Sequence, residues 1–382
     1  MVIQLPISRE EIQKIVSEYD PDKITIGVLG SHSAEEVGMS AKAFGFPTVV
    51  VCQKGREMLY AKYNRHLFDH VIILDRFSDM IKGEIQEKLL KLNTIFVPNR
   101  SFSVYIGYDN IEEHFMIPMY GNRFLLRAEE RNAPRSQYWL LEKAGIKIPK
   151  KFDRPEDIDR LVIVKVQQKK KPLERAFFYA VSPEDYYKKA EELIKKEVID
   201  EEGLKKARIE EYVLGARFNA NFHSYALKEE FDDFDFVGFS DRRQVNLQGF
   251  LNLPAKEQLK INVPVKNEEI GHFGVTMRES KQDLAYESAE KFIRICEKEY
   301  NPGIIGLFGL QGAIAYSPEE KLEFVIFDVS MRVPGDPAIG PTSPEMRNLS
   351  LKYGLKIEDP LDLSMMEIKK ALELKRLEEI VT

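Results

Sequence analysis

The side chains able to do chemistry sit where an apolar strand is interrupted or a regular element ends. Gln311 in GLFGLQGAIAY and Asp328 in EFVIFDVSMR are polar groups inside otherwise apolar runs. On neighbouring strands, Gln311, Asp328 and Ser330 would face one cavity and offer oxygens to Mg2+, whose other ligands would be phosphate oxygens and water. A buried hydrogen-bonded pair is the plainer reading. Arg332 lies two residues past Ser330, on the same strand face by the period of two, where a guanidinium would neutralise a transferring phosphoryl group. Gly30-Ser31-His32-Ser33 closes one strand and opens a helix, and Ser33 with Glu36 matches a capping box that leaves backbone N–H groups for an anion. An ordinary strand-to-helix turn with a solvated His32 fits the same residues. Ser101, after a second strand, is placed to reach the same crevice.

A second group of residues suits ATP. Lys165 ends the strand LVIVK, and the strand AFFYA follows a turn holding Lys169, Lys170, Lys171 and Arg175. A lysine at the base of such a flap holds an α- or β-phosphate as a point charge, although a solvated basic loop has the same composition. Glu210-Glu211-Tyr212-Val213 closes a strand before Gly215, and a hinge there offers an adenine ring a backbone donor, a backbone acceptor and apolar faces. His272 in EEIGHFGVTMRES stands beside Arg278 and Glu279, which predicts an anion-facing loop, with a structural histidine as the alternative.

The elements that must position these residues fall into three stretches. Residues 1–122 alternate KITIGVL, PTVVVC, VIILD and TIFV with helical segments, the βαβ pattern of a Rossmann-like parallel sheet whose ligands sit at the carboxyl ends of strands. Residues 123–207 read as a helical linker and a small lid. Residues 208–382 read as longer strands with a helix from about Ser280 to Glu299, a mixed α+β body. The stretch MMEIKKALELKRLEEIV has apolar residues at helical spacing and predicts an amphipathic helix. HFMIPMYGNRF is either an interface between copies or the crossover between domains.

Composition narrows the function classes. With 43% hydrophobic residues in 382, the chain buries more than one core, and its net charge of -6 from 56 basic and 62 acidic residues provides no field for nucleic acid. Cys52 and Cys296 stand alone in apolar runs, which predicts packed, reduced thiols. No apolar run approaches the roughly 20 residues of a membrane span, and the start lacks the pattern of a signal peptide, so a cytoplasmic location without a membrane partner is expected.

In order along the chain, GSHSA, VPNRSF, MYGNR, LVIVK, IEEYVLG, SDRR, LPAKEQL, MRES, PGIIG, GLQG and FDVSMRVPG resemble the archaeal 5-formaminoimidazole-4-carboxamide ribonucleotide synthetases over nearly the whole length. These are formate-dependent ATP-grasp ligases. The resemblance implies an ATP-grasp fold with α/β and α+β parts and an N-terminal Rossmann-like domain. It implies ATP, formate and the aminoimidazole carboxamide ribonucleotide as substrates, formyl phosphate as intermediate, and a homo-oligomer. His32, Ser101 and His272 would contact the ribonucleotide. Lys165, Arg175, Glu211, Tyr212, Val213 and Gln244 would contact ATP, and Gln311 and Asp328 would hold Mg2+ or Mn2+. Several positions depart from the family pattern. QQKKKPLER has no glycine where a glycine-rich flap is usual, and Asn99-Arg100 replaces His-Gly. His272 stands for Asn, Gln244 for an acid, Asp328 for Glu, and Gly335-Asp336-Pro337-Ala338 for Gly-Gly-Thr-Asn. Charge from Lys169 to Arg175 would then replace the glycine cradle. A ligase for another small acid and phosphorylated amine, and a nucleotide-binding paralogue without turnover, also fit these departures.

Overall fold

A computed structural model describes residues 6–131, 133–167, 175–244, 247–261, 269–334 and 343–382. Lys169, Lys170 and Lys171 of the flap, and the Gly335-Asp336-Pro337-Ala338 stretch, lie outside the described residues, as does the side chain of Arg175.

The β-branched runs of the first third become β1 (Thr25–Leu29), β2 (Thr48–Gln53), β3 (His70–Leu74) and β4 (Thr94–Phe96). They form one parallel sheet in the order β3-β2-β1-β4. The central strand β1 is buried at all of its positions, as expected of a parallel strand covered on both faces. The crossover of strand order places the loops after β1 and β4 side by side at the carboxyl ends, where open α/β sheets bind ligands.

The next strands are β5 (Lys151–Phe152), β6 (Val162–Gln167), β7 (Arg175–Ala180) and β8 (Arg208–Glu211), in the order β5-β8-β6-β7. The strand LVIVK does not end at Lys165. Its ladder with β7 continues through Val166↔Ala176 and Gln167↔Arg175, so Lys165 is an interior strand residue. The longest strands, β9 (Ala216–Ser224), β10 (Phe234–Gln244), β11 (Glu269–Val275), β12 (Gly306–Tyr316) and β13 (Leu322–Ser330), form a sheet in the order β11-β10-β9-β12-β13. The helix Asp283–Glu299 buries Ala285, Ala289, Phe292, Ile293 and Cys296, one face at i, i+4, i+7 and i+8 spacing.

Contacts group the chain into two compact units: Met1–Gly145 with Arg217–Gln311 and Asp328–Thr382, and Ile146–Ala216 with Gly312–Phe327. The chain thus leaves the first unit after Gly145 and returns to it at Arg217.

Two expectations change. The C-terminal helix starts earlier, at Pro360, and is buried nearly all round through Met365 rather than on one stripe. Its cap explains the start: Asp359 accepts from Leu361 N at 2.8 Å, with Pro360 in the first turn. HFMIPMYGNRF is a core segment, with Phe115, Ile117 and Met119 fully buried, so an exposed apolar interface is not what it forms. Cys52 and Cys296 are both free and buried, as their apolar surroundings predict.

Candidate functional site

The loops after β1 and β4 meet. Ser101 Oγ donates to Ser31 Oγ at 2.8 Å, so the crevice expected from the two strand ends forms. Asn99 holds the second loop in place: its side chain accepts from Phe102 N at 3.0 Å, capping the helix Arg100–Ile106, and donates to Leu29 O at 3.0 Å. A cavity of about 310 Å³ is lined by Gly30 to Glu36 with Arg56, Leu59 and Tyr60, and His32 lies on its wall. The Ser33 capping box does not form. Ser33 has φ 63°, outside the extended conformation an N-cap side chain needs, and its hydroxyl donates instead to Pro334 O at 3.2 Å. The helix Ala34–Ala43 therefore begins with no side-chain cap.

The segment after β13 docks on these loops. Val333 forms a parallel bridge with Asn99, and Val333 N donates to Pro98 O at 3.4 Å. Just before it, Gln311 Nε2 donates to Ser330 Oγ at 3.3 Å, and the amide oxygen, Gln311 Oε1, is buried with no hydrogen-bond partner among the described residues. Asp328 Oδ2 pairs with Arg131 at 2.8 Å. Gln311, Ser330 and Asp328 are thus neighbours on adjacent strands. Arg332 lies beyond the last strand residue, Ser330, so the strand period does not set its direction. Its Nη1 donates to Val333 O at 2.9 Å, and its Nε lies 3.4 Å from Glu129 Oε1, a contact that is not aligned as a hydrogen bond. Burial lowers the pKa of this guanidinium, with Glu129 opposing the shift.

His272 lies in strand β11, not in a loop, and its partner is neither Arg278 nor Glu279. It pairs in register with Arg242 of β10, and its Nε2 lies 2.7 Å from Glu269 Oε1, while Arg242 Nε reaches the other oxygen at 3.0 Å. Burial pushes the Glu269 carboxyl up, but His272, Arg242 and His32 together hold it below the usual carboxylate range, which also brings His32 into the field of this group. Gln244 is buried at the end of β10, opposite Glu269.

In the second unit, Lys165 Nζ pairs with Glu210 Oε1, and Arg208 Nε donates to Glu210 Oε2 at 2.7 Å. Burial penalises the Glu210 carboxylate, yet Lys165 and Arg208 hold its pKa below the ordinary value. At the hinge, Glu211 N donates to Lys150 O at 2.8 Å and Tyr212 N to Leu161 O at 3.0 Å. Val213 N has no backbone partner among the described residues. Tyr212 packs edge-on against Tyr179 at 5.2 Å.

Residues 185–382 match a family described as "Domain of unknown function (DUF1297)" and residues 26–152 one described as "Protein of unknown function (DUF1246)". The 5-formaminoimidazole-4-carboxamide-1-(beta)-D-ribofuranosyl 5'-monophosphate synthetase of Methanocaldococcus jannaschii is 38% identical over 380 residues, 98% of this chain and 100% of the relative. The synthetase of the same name from Methanopyrus kandleri is 41% identical over 330 residues, 86% of this chain and 88% of the relative. The chain belongs to this synthetase family. The crystal structure of an IMP biosynthesis protein PurP from Thermococcus kodakaraensis matches 94% of this chain and 100% of its own at TM-score 0.66 and 22% identity, a likeness of fold. The fold is ATP-grasp with a parallel N-terminal sheet, and the curated relatives are named synthetases.

A synthetase of this kind is expected to use a divalent ion with ATP, and the residues present fit one. A buried amide oxygen without a partner at Gln311 and a carboxylate at Asp328 are hard oxygen donors that leave further positions to phosphate and water. Among the described residues no group of three or more His, Cys, Asp or Glu is placed to hold a metal ion. Two carboxylates, Glu129 and Glu269, go unmarked in the sequence, and Glu210 enters there only as part of the hinge run. Glu129, Glu210 and Glu269 each hold one or more cations, yet they lie in charged stretches such as RAEER and RIEEYV where nothing marks one acid from the next.

Proposed function

We propose that this chain formylates 5-aminoimidazole-4-carboxamide ribonucleotide with ATP and formate, giving the formamido ribonucleotide, ADP and phosphate. The observation that carries the reading is the match, over 98% of this chain, to a relative named for that product. In the reaction a formate oxygen attacks the γ-phosphorus of ATP and ADP leaves. The amine nitrogen of the ribonucleotide then attacks the formyl carbon of formyl phosphate, phosphate departs, and the nitrogen loses its proton. Gln311 and Asp328 would hold Mg2+ or Mn2+, which would supply charge neutralisation at the phosphates. Arg332 is the cation for the transferring group.

His32 and Ser101 orient the ribonucleotide at the joined strand-end loops, and His272 faces it from β11. Lys165 and Arg175 bind ATP phosphates, with Lys169, Lys170 and Lys171 supplying charge in place of flap glycines. The hinge of Glu211, Tyr212 and Val213 takes the adenine. Its one amide without a backbone partner among the described residues, at Val213, is the donor we assign, and Gln244 completes the nucleotide contacts. By role, residues 1–122 carry the ribonucleotide, 123–207 the lid and 208–382 the catalytic body. The enzyme acts in the cytoplasm as a homo-oligomer.

The test is incubation of the purified protein with ATP, Mg2+, formate and the aminoimidazole ribonucleotide, following ADP and product by chromatography. Stoichiometric ADP and formamido ribonucleotide are expected. ADP formed only with other acids or amines, or ATP binding without turnover, would reject the assignment.

A further inference from the structure

The two ends of the proposed reaction are joined by one buried carboxylate. Glu129 caps the end of the helix Arg123–Ala128 and faces the docked segment Met331–Pro334. Its Oε1 accepts from Met331 N at 2.6 Å and lies 3.4 Å from Arg332 Nε. Its Oε2 accepts from Arg100 Nη1 at 3.3 Å, and Arg100 directly precedes Ser101. The backbone of Glu129 is held in turn, because Gln137 Nε2 donates to its carbonyl at 2.5 Å while Gln137 Oε1 accepts from Val329 N at 2.6 Å. One side chain therefore fixes the phosphoryl-side residue Arg332 and the ribonucleotide-side loop of Ser101. The same segment reaches the other ribonucleotide loop through the Ser33 hydroxyl on Pro334 O.

We infer that Glu129 is a positioning residue that couples the two half-reactions, holding the phosphoryl-transfer cation and the ribonucleotide loop in one geometry so that formyl phosphate is captured by the amine rather than by water. The inference rests on the formylation reading above. Two reactive groups held at close range react with each other far faster than with solvent, and a displacement of about 1 Å removes much of that advantage, on the order of a hundredfold. Loss of the carboxylate removes the counter-charge that Arg332 shares with Arg100, which keeps only Glu130, and loosens the placement of Arg332 against the Ser101 loop. Formyl phosphate then hydrolyses to formate and phosphate, and each such event consumes ATP without product.

The ratio of ADP to formamido ribonucleotide reads this directly, and a structural role alone would not move it. Glu129→Gln keeps an acceptor for Met331 N and removes only the charge, and Glu129→Asp keeps the charge. In Glu129→Gln the ratio is expected to rise from near one to at least about threefold, with the KM for ATP within about twofold of the parent, and Glu129→Asp is expected to restore part of the coupling. A ratio that stays at one in Glu129→Gln overturns the inference, as does a parallel loss of ADP and product accompanied by a large fall in melting temperature. A parent protein that makes no formamido ribonucleotide overturns the proposed function and the inference with it, whereas a productive parent with a coupled variant overturns the inference alone.

Discussion

At the scale of single residues, the site is a set of buried ions whose partners were set by position rather than by type. Lys165, Glu210 and Arg208 form a compact cluster in which one carboxylate serves two cations. Removing a partner from a buried pair leaves its counterpart desolvated, a cost of about 3–5 kcal/mol. Glu210→Ala is therefore expected to destabilise the protein by about that amount in urea unfolding, more than Glu211→Ala, whose side chain is part-exposed. Gln311 makes a different prediction. Its unpartnered Oε1 is poised to accept a cation, so Gln311→Ala is expected to raise the Mg2+ concentration for half-maximal ADP formation by at least about tenfold, the loss of one oxygen ligand, with little change in melting temperature. An unchanged Mg2+ dependence would remove Gln311 from the ligand set.

At the scale of elements, the C-terminal helix Pro360–Leu374 is fastened by a buried acid. Glu367 accepts from Tyr120 Oη at 2.7 Å and from Ala226 N and Leu227 N at 2.7 and 3.1 Å, and Tyr120 Oη also lies 3.1 Å from His223 Nε2. Burial pushes the Glu367 carboxyl up to about 7 against the pull of these donors, and burial lowers the His223 imidazole to about 3, so it is neutral. The sign follows from linkage. A carboxyl with a raised pKa contributes stability that is present below its unfolded pKa and is lost as pH rises to about 7, a change on the order of 3 kcal/mol. Melting curves of the parent and of Glu367→Gln, which keeps the shape and stays neutral, are expected to diverge between about pH 4.5 and pH 7, with the variant gaining as pH rises. Parallel curves would show that Glu367 does not titrate in this window. This element also shows where helical periodicity misleads: MMEIKKALEL reads as one-sided, but the turns before it, Pro360 to Met365, are enclosed by neighbours far away in sequence.

At the scale of the whole molecule, the chain falls into two compact units. Lys165 and the Glu211-Tyr212-Val213 hinge lie in one, and Gln311, Asp328 and Arg332 in the other. No helix among the described residues is long and apolar enough to cross a membrane. The apolar segment 114–124, one of two sequence clues to an interface, is spent on the core. A homo-oligomer must therefore use other surface, and light scattering is expected to give a mass of at least twice one chain; a monomer at micromolar concentration would reject it.

The sequence by itself determined the order of elements, the parallel N-terminal sheet, the family, and the identity of most proposed site residues, because β-branched runs, strand-end loops and interrupted apolar strands are local signals. Gln311 and Asp328 stand out in the sequence for that reason: a polar side chain inside an apolar strand is conspicuous wherever the strand ends up. Tertiary structure alone decided which charges meet. Glu129 is one acid among several in RAEER until the segment Met331–Pro334 docks beside it, and Ser33 resembles an N-cap until its left-handed backbone turns the hydroxyl to Pro334. His272 looked like a loop histidine until the β10–β11 ladder set it opposite Arg242 and beside Glu269. Such pairings depend on residues tens to hundreds of positions apart arriving at distances of about 3 Å, where hydrogen bonds and ion pairs act, and periodicity carries no information about that arrival.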